Sequence, residues 1–307
     1  MYIDLIRRVL EQAVDSYASA TGQQVSEVLA AIRTHIDATA QEHQKGEPDI
    51  KYAEALCRLG YLYRHATANA TLFEHVLLES GRLRSIIAKS AGQRLNICAV
   101  GGGPGTELLG LAKFLLIGRR KFPKKINFTV LDNIPQWAET WQQLADAVEE
   151  ELQRATSEDN TATCPSIVPA FLPLDVLKAE SYTSYSYQFS TSQVIVFNYL
   201  FSENKSRLTE ALGAVASLRA MAPKGCEFVV IDRLEGNRTF SDSVIALFQD
   251  VFNNKEISTH HFGGTLDADE QTKDMGELFH NTLGFPRVKF FTMYRSPTVF
   301  WFTVAKE

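Results

Sequence analysis

Hydrophobic positions in the first 90 residues repeat with the period of an α-helix. Apolar side chains recur at steps of three and four residues over 3–17 and 26–36, and two more helices are predicted near 50–67 and 70–88. No run typical of a strand occurs in this part of the sequence. The pattern therefore predicts an all-helical N-terminal segment over residues 1–90.

After residue 90, short apolar runs alternate with helical segments. The runs at 194–197 and 227–231 are typical of strands that helices cover on both faces. Strands alternating with helices indicate a mostly parallel, doubly wound sheet, so we predict an α/β domain over residues 91–307. The predicted strands lie at 95–100, 126–131, 167–174, 194–197 and 227–231, and the predicted helices at 106–117, 137–153, 207–221 and 241–252.

The C-terminal region departs from this alternation. Apolar runs at 288–294 and 298–304 are separated only by the residues 295–297. A connection this short cannot hold a crossover helix, and parallel neighbours need one. The last two strands are therefore predicted to form an antiparallel hairpin.

Composition and charge narrow the class of protein. The formal net charge of −5 gives no long-range attraction for nucleic acid or acidic membranes, so both are disfavoured as partners. The most apolar stretch, 108–118, is far shorter than the ~20 residues that cross a bilayer. The cysteines lack the C-x-x-C spacing of zinc sites, and nothing suggests a disulfide framework. We expect a cytoplasmic protein with no membrane association.

A glycine cluster follows the first predicted strand. Gly101, Gly103 and Gly105 form the pattern G-x-G-x-G between a buried strand and a helix, where the backbone can approach a ligand closely. The dinucleotide pattern G-x-G-x-x-G is not met, because its third glycine would fall on Thr106. The spacing is instead that of a loop that passes under the amino acid part of S-adenosylmethionine.

Two carboxylates lie at the ends of the next two predicted strands. Asp132 can accept hydrogen bonds from both hydroxyls of a ribose, and Asp175 can accept one from the exocyclic amine of adenine. Each acid alone is more often a helix cap or a turn residue. Together, after the glycine loop, they predict a cofactor site that also includes their neighbours Asn133 and Val176.

Residues 95–307 resemble a class I S-adenosylmethionine-dependent methyltransferase. The resemblance rests on the motif at 99–105, on Asp132 and Asp175, on the strands at 194–199 and 227–232, and on the terminal hairpin. It implies a seven-stranded sheet of order 3-2-1-4-5-7-6, S-adenosylmethionine as cofactor, and methyl transfer. The sequence departs from the family at Ala99, where many members carry an acid that contacts the amino group of the cofactor. That contact would then come from backbone carbonyls or from the helical N-terminus.

The helical segment before the first strand also carries candidate ligand-binding residues. In many methyltransferases such a helix covers the site and offers a basic side chain to the methionine carboxylate. Arg64 or His65 could do so here, and we include Arg64 among the predicted cofactor-binding residues. Tyr61 could pack on the sulfonium through its ring face. Alternatively, the tyrosines of this segment simply pack the helices onto the sheet.

Candidate catalytic residues follow the fourth strand, because ligands of open parallel sheets bind beyond the carboxyl ends of the strands. We predict this role for Asn198, Tyr199 and Glu203, with Asn198 also contacting the cofactor. His261 could act as a base because an unperturbed imidazole titrates near neutrality, although a solvated loop is the simpler interpretation of 260–261.

Two main hypotheses for function result. The first is an S-adenosylmethionine-dependent methyltransferase that acts on a small molecule or a protein side chain. The second is a catalytically silent methyltransferase-like module whose helical segment binds a protein partner. A nicotinamide-dependent oxidoreductase is disfavoured by both the glycine spacing and the terminal hairpin. The sequence does not identify the methyl acceptor or the oligomeric state.

Overall fold

The computed structural model describes residues 2–44, 50–117, 122–159, 164–234, 239–254, 256–261 and 299–307. Its N-terminal part is helical, as the sequence predicts. In these ranges no helix combines the length and apolar character needed to cross a bilayer. The four N-terminal helices are α1 (Tyr2–Thr21), α2 (Val25–Gln44), α3 (Ala55–Glu79) and α4 (Gly81–Lys89).

Helix α3 is longer than expected. The sequence predicts a break near residue 68, but the helix continues through it. The polar residue Asn69 is accommodated because its side-chain amide donates a hydrogen bond to the Tyr61 hydroxyl at 2.8 Å. The helix ends at Ser80, whose Oγ accepts a hydrogen bond from the Leu83 amide at 3.3 Å and so caps α4.

Strands and helices alternate beyond residue 90. The strands are β1 (Arg94–Val100), β2 (Lys125–Asp132), β3 (Ser166–Pro173), β4 (Val194–Asn198), β5 (Glu227–Arg233), β6 (His260–His261) and β7 (Val299–Ala305). The α-helices described among them are α5 (Thr106–Ile117), α6 (Trp137–Asp159), α7 (Ser186–Ser190), α8 (Leu200–Glu203), α9 (Leu208–Met221) and α10 (Thr239–Phe252).

The seven strands form one sheet of order β3-β2-β1-β4-β5-β7-β6, which confirms the predicted order. Strands β1 to β5 are parallel, and β7 runs antiparallel to both β5 and β6. The described partner of β7 at the sheet edge is 260–261, which the sequence favours as a loop. The strand predicted at 288–294 lies outside the described residues.

Each face of the sheet has its own hydrophobic core. Along β4, Val194 and Val196 face the N-terminal helices, α5 and α6, whereas Ile195 and Phe197 face α8, α9 and α10. This alternation follows from the two-residue period of a strand. The N-terminal helices therefore form one layer of a helix–sheet–helix arrangement and share a core with the sheet, and the predicted boundary near residue 90 falls between α4 and β1.

The parallel register brings the carboxyl ends of the central strands together. Val100 of β1 lies beside Leu131 of β2 and Phe197 of β4, and Phe197 lies beside Val230 of β5. The residues that follow these strands consequently meet at one edge of the sheet. This edge holds most of the candidate site.

Helices α3 and α5 approach each other closely at Gly110. A Cβ atom built on Gly110 would lie 2.6 Å from the Ala70 carbonyl oxygen and 3.1 Å from the Glu74 amide nitrogen. Both neighbours are backbone atoms and cannot move aside as a flexible side chain can. Glycine is thus required for the distance at which α3 packs against α5.

Replacing Gly110 with alanine should destabilise the protein. Alanine favours a helix by up to ~1 kcal/mol, but forcing a methyl group into this contact costs roughly 1–3 kcal/mol, so we expect a net loss of up to about 2 kcal/mol. The matched control is Gly213→Ala in α9, where a Cβ meets nothing within 4 Å and stability should rise slightly. Denaturant unfolding measures both, and equal stability of the two variants would contradict the close contact.

Candidate active site

The glycine loop joins β1 to α5 and lies over the end of β2. The amides of Gly101 and Gly102 donate to the Leu131 carbonyl oxygen at 2.7 and 3.3 Å. Gly101 has a φ of 68°, and a Cβ there would lie 2.8 Å from Cδ1 of Leu200. A side chain at this position would therefore be both strained and obstructed.

Gly105 has a different role from the other two glycines. A Cβ at Gly105 would lie 2.2 Å from Cε3 of Trp141, a buried residue of α6. The Trp141 ring nitrogen donates to the Ala170 carbonyl oxygen of β3 at 3.1 Å, which fixes the indole. Gly105 thus lets the loop pack on α6, whereas Gly101 and Gly103 line a cavity.

Asp132 ends β2 inside this cavity and is 9% exposed. Its Oδ2 accepts a hydrogen bond from the Gly103 amide at 3.0 Å, and its Oδ1 accepts one from the Ile134 amide at 2.9 Å. Burial raises the pKa of Asp132 to about 6, and these backbone hydrogen bonds limit the rise. A carboxylate has about four acceptor positions, so capacity remains for two hydroxyl donors of a ligand.

Asp175 follows β3 on the same side of the cavity. Its Oδ2 accepts a hydrogen bond from Nη2 of Arg207 at 3.2 Å, and its Oδ1 accepts one from the Leu177 amide at 3.1 Å. Arg207 also binds Glu210. The sequence did not indicate Arg207 as a site residue, because its link to Asp175 spans distant parts of the chain.

Aromatic rings form one wall of the cavity. The ring centroids of Tyr52, Tyr61 and Trp137 lie 5.5 to 5.8 Å from one another. Burial raises the pKa of both tyrosines well above the ordinary value, so their hydroxyls stay protonated. Tyr52 and Tyr61 come from the N-terminal segment and Trp137 begins α6, so this wall unites two parts of the chain. Tyr52 and Trp137 were missed by sequence reasoning.

Glu203 faces the cavity from α8. This short helix begins after Tyr199, which has a φ of 58°, and the buried Asp232 carboxylate accepts hydrogen bonds from the amides of Phe201 and Ser202 at 3.0 and 3.1 Å. Asp232 thereby fixes α8 to β5. One guanidinium nitrogen of Arg233 lies 3.9 Å from the Glu203 carboxylate.

The pKa of Glu203 is raised to about 7. Burial is the main cause, the charge of Arg233 opposes it, and the carboxylates of Asp232 and Asp132 add to it. The side chain still exposes 32% of its surface, so a ligand in the cavity can reach it. A carboxylate with these properties can accept a proton near neutral pH.

The structure brings most of the predicted site residues together around a cavity of about 220 Å³. Its lining includes the predicted residues Gly101, Gly103, Asp132, Asn133, Asp175, Val176 and Glu203.

Five other predicted residues lie outside this lining. Arg64 donates to the Ile36 carbonyl oxygen of α2 at 3.3 Å. Gly105 packs on Trp141, and Tyr199 lies beneath the Arg233 guanidinium, 5.2 Å from its ring centroid. Asn198 binds Glu107 behind the glycine loop. His261 is exposed on β6 at the far edge of the sheet, separated from β4 by β5 and β7.

Comparison with known proteins identifies the family. Residues 17–238 match the family described as "Putative SAM-dependent methyltransferase". The chain belongs to this family of S-adenosylmethionine-dependent methyltransferases, and S-adenosylmethionine is its methyl donor. The match begins near the end of α1 and covers α2, α3, α4 and the glycine loop. No curated protein sequence matches the chain significantly.

Solved methyltransferase structures are similar to the chain at low sequence identity. An O-methyltransferase family protein from Burkholderia thailandensis is 12% identical, with 91% of this chain and 72% of that chain covered and a TM-score of 0.42. A SAM-dependent methyltransferase from Anabaena variabilis is 14% identical, with 85% and 97% covered and a TM-score of 0.40.

The residues of the cavity fit this cofactor. The Asp132 carboxylate keeps acceptor positions for a ribose diol, and the Gly103 position is open, since a Cβ there would find no atom nearer than 3.6 Å. Asp175 and Val176 lie beside Asp132 on the neighbouring strand end, where adenine would bind. Gly101 and Gly103 would then hold the amino acid part.

Replacing Asp132 with asparagine should weaken binding of S-adenosylhomocysteine, the demethylated cofactor. The variant loses the charged acceptor for the ribose hydroxyls, which we expect to lower affinity by about 10- to 100-fold, or ~1.5–3 kcal/mol. Asp146→Asn, on the exposed side of α6, is the matched control and should bind normally. Calorimetric titration measures both affinities. Unchanged binding by the Asp132 variant would place the ribose elsewhere.

Proposed function

We propose that this protein transfers the methyl group of S-adenosylmethionine to a small molecule or a protein side chain that binds beside Tyr52, Tyr61 and Glu203. Different residues of the cavity suit the cofactor and the acceptor, and this supports the assignment. Gly101, Gly103 and the strand-end carboxylates suit the cofactor. The two tyrosines and Glu203 are left for an acceptor.

The observation that carries the proposal is the position and the raised pKa of the Glu203 carboxyl. When bound, the cofactor supplies an activated methyl group on a sulfonium, so the protein mainly positions the acceptor and excludes water. An acceptor O–H or N–H group must lose its proton as the new bond to carbon forms. Glu203 can take up that proton because its carboxylate lies in the cavity and its pKa is raised to about 7.

The N-terminal segment, residues 1–90, acts in this proposal as a cap over the site. Tyr52 and Tyr61 extend from it into the cavity wall and contact Trp137 of α6. The helices of this segment share a core with the sheet, so the cap has a fixed position rather than a loose attachment. The acceptor therefore enters between fixed aromatic surfaces.

The charge of the protein and of the cavity also bears on which class of molecule is the methyl acceptor. The net charge of −5 and the carboxylates of Asp132, Asp175 and Glu203 at the cavity disfavour a polyanion. This supports a metabolite or a protein in the cytoplasm over nucleic acid.

A labelling experiment tests the acceptor class. The purified protein is incubated with cofactor carrying a labelled methyl group and with a cell extract separated into small-molecule, protein and nucleic-acid fractions. We expect label in the small-molecule or the protein fraction, and none with the Asp132→Asn protein. Label in the nucleic-acid fraction would overturn the proposed acceptor. Cofactor binding without label transfer would favour the silent module instead.

The rate of labelling should depend on pH through Glu203. At saturating cofactor, the rate should fall about tenfold for each pH unit below 7, because only the ionised carboxylate accepts a proton, and it should level off above pH 7. Glu203→Gln should be slow at every pH and lose this dependence. Glu180→Gln, at an exposed position that does not line the cavity, should keep the normal profile. A pH profile unchanged in the Glu203 variant would exclude its role as the base.

A further inference from the structure

A buried acid lies behind the glycine loop and was not indicated by the sequence. Glu107, in the first turn of α5, is 2% exposed, and its Oε1 accepts a hydrogen bond from Nδ2 of Asn198 at 2.8 Å. Asn198 ends β4 and is 8% exposed. The two side chains join the start of α5 to the carboxyl end of the central strand.

Each member of this pair keeps a buried acceptor atom without a donor. Within the described part of the chain, no group donates a hydrogen bond to Oε2 of Glu107 or to Oδ1 of Asn198. Buried polar atoms without partners cost free energy, and a buried charge costs more. Glu107 and Asn198 are hydrogen-bonded to each other, and each has one acceptor atom without a donor. This arrangement therefore indicates a ligand that donates hydrogen bonds.

Comparison with other buried glutamates supports this interpretation. Glu74 is paired with Lys113 at 3.1 Å, and Glu227 is paired with Arg82 at 2.8 Å. Among the described residues Oε1 of Glu227 also has no donor, so the difference from Glu107 is the neighbouring positive charge. The carboxyl of Glu107 instead accepts hydrogen bonds from the neutral amide of Asn198 and from its own backbone N–H, and burial raises its pKa. A cation that binds from outside the chain would supply the charge that Lys113 and Arg82 supply elsewhere.

The location of the pair indicates which cation this is. Glu107 follows Gly105 by two residues, and Leu200, two residues after Asn198, lines the cavity next to Gly101. Glu107 also acts electrostatically on Tyr61 in the cavity wall. The pair itself does not line the cavity but lies behind the glycine loop, which would hold the amino acid part of the cofactor. Ala99 leaves that part without an acid on β1.

We propose that Glu107, held in place by Asn198, binds the primary ammonium of the methionine part of S-adenosylmethionine. The ammonium has three N–H donors, which suit the two unsatisfied oxygens, and its charge compensates the buried carboxylate. The acid that binds the cofactor amine thus comes from the helix after the glycine loop instead of from β1.

Two ligands that differ in the amino acid part test the assignment. S-adenosylhomocysteine carries the ammonium, whereas 5′-methylthioadenosine keeps the adenosine and the sulfur but lacks the whole amino acid part. By calorimetry, Glu107→Gln should bind S-adenosylhomocysteine at least tenfold more weakly than the unaltered protein and bind methylthioadenosine equally well. Glu227→Gln, which alters a buried carboxylate at the opposite end of the sheet, should leave the affinity for both ligands unchanged.

Equal losses for the two ligands, or no loss for either, would overturn the proposal. A second measurement on the unaltered protein covers the case in which the Glu107 variant does not fold. There, S-adenosylhomocysteine should bind at least tenfold more tightly than its analogue in which hydrogen replaces the amino group. Equal affinity for these two ligands would also overturn the proposal. None of these measurements requires a methyl acceptor, so they are independent of the labelling experiment.

Discussion

The site depends on the hydrogen bonds that fix the glycine loop to the end of β2. The Leu131 carbonyl oxygen accepts from the amides of Gly101 and Gly102, and the next residue, Asp132, accepts from the Gly103 amide. These bonds require a left-handed backbone at Gly101, where Leu200 leaves no room for a side chain. One short segment thereby aligns the loop, the strand-end carboxylate and the start of α5.

The N-terminal helices pack against the elements that form the site and help to position them. Helix α3 reaches backbone contact with α5 at Gly110, so the helix that begins at the glycine loop also supports the helix that carries Tyr61. The aromatic wall of Tyr52, Tyr61 and Trp137 is therefore positioned from two sides, by α3 and by α6.

The parts predictable from the sequence were those with a local physical signature. Strand periodicity indicated a mostly parallel sheet with a reversed final strand, whereas the order of the strands came from the resemblance to methyltransferases. The glycine spacing with Asp132 and Asp175 indicated one side of the cavity. Arg207, Tyr52 and Trp137 were missed because their roles depend on contacts between distant segments, which no short pattern encodes. The continuation of α3 past residue 68 was missed for a different, local reason: the polar side chain of Asn69 is satisfied by Tyr61 two turns earlier in the same helix.

The attachment of α8 to β5 has a consequence for the last strand of the protein. A helix of four residues is not stable by itself. The position of Glu203 therefore depends on the Asp232 carboxylate, which accepts hydrogen bonds from two backbone amides of α8. Asp232 in turn lies opposite Phe300 in the antiparallel pairing of β5 with β7. A slip of one residue in that pairing would reverse which face each side chain occupies. The alignment of β7 is in this sense part of what positions Glu203, although β7 contributes no residue to the described cavity lining.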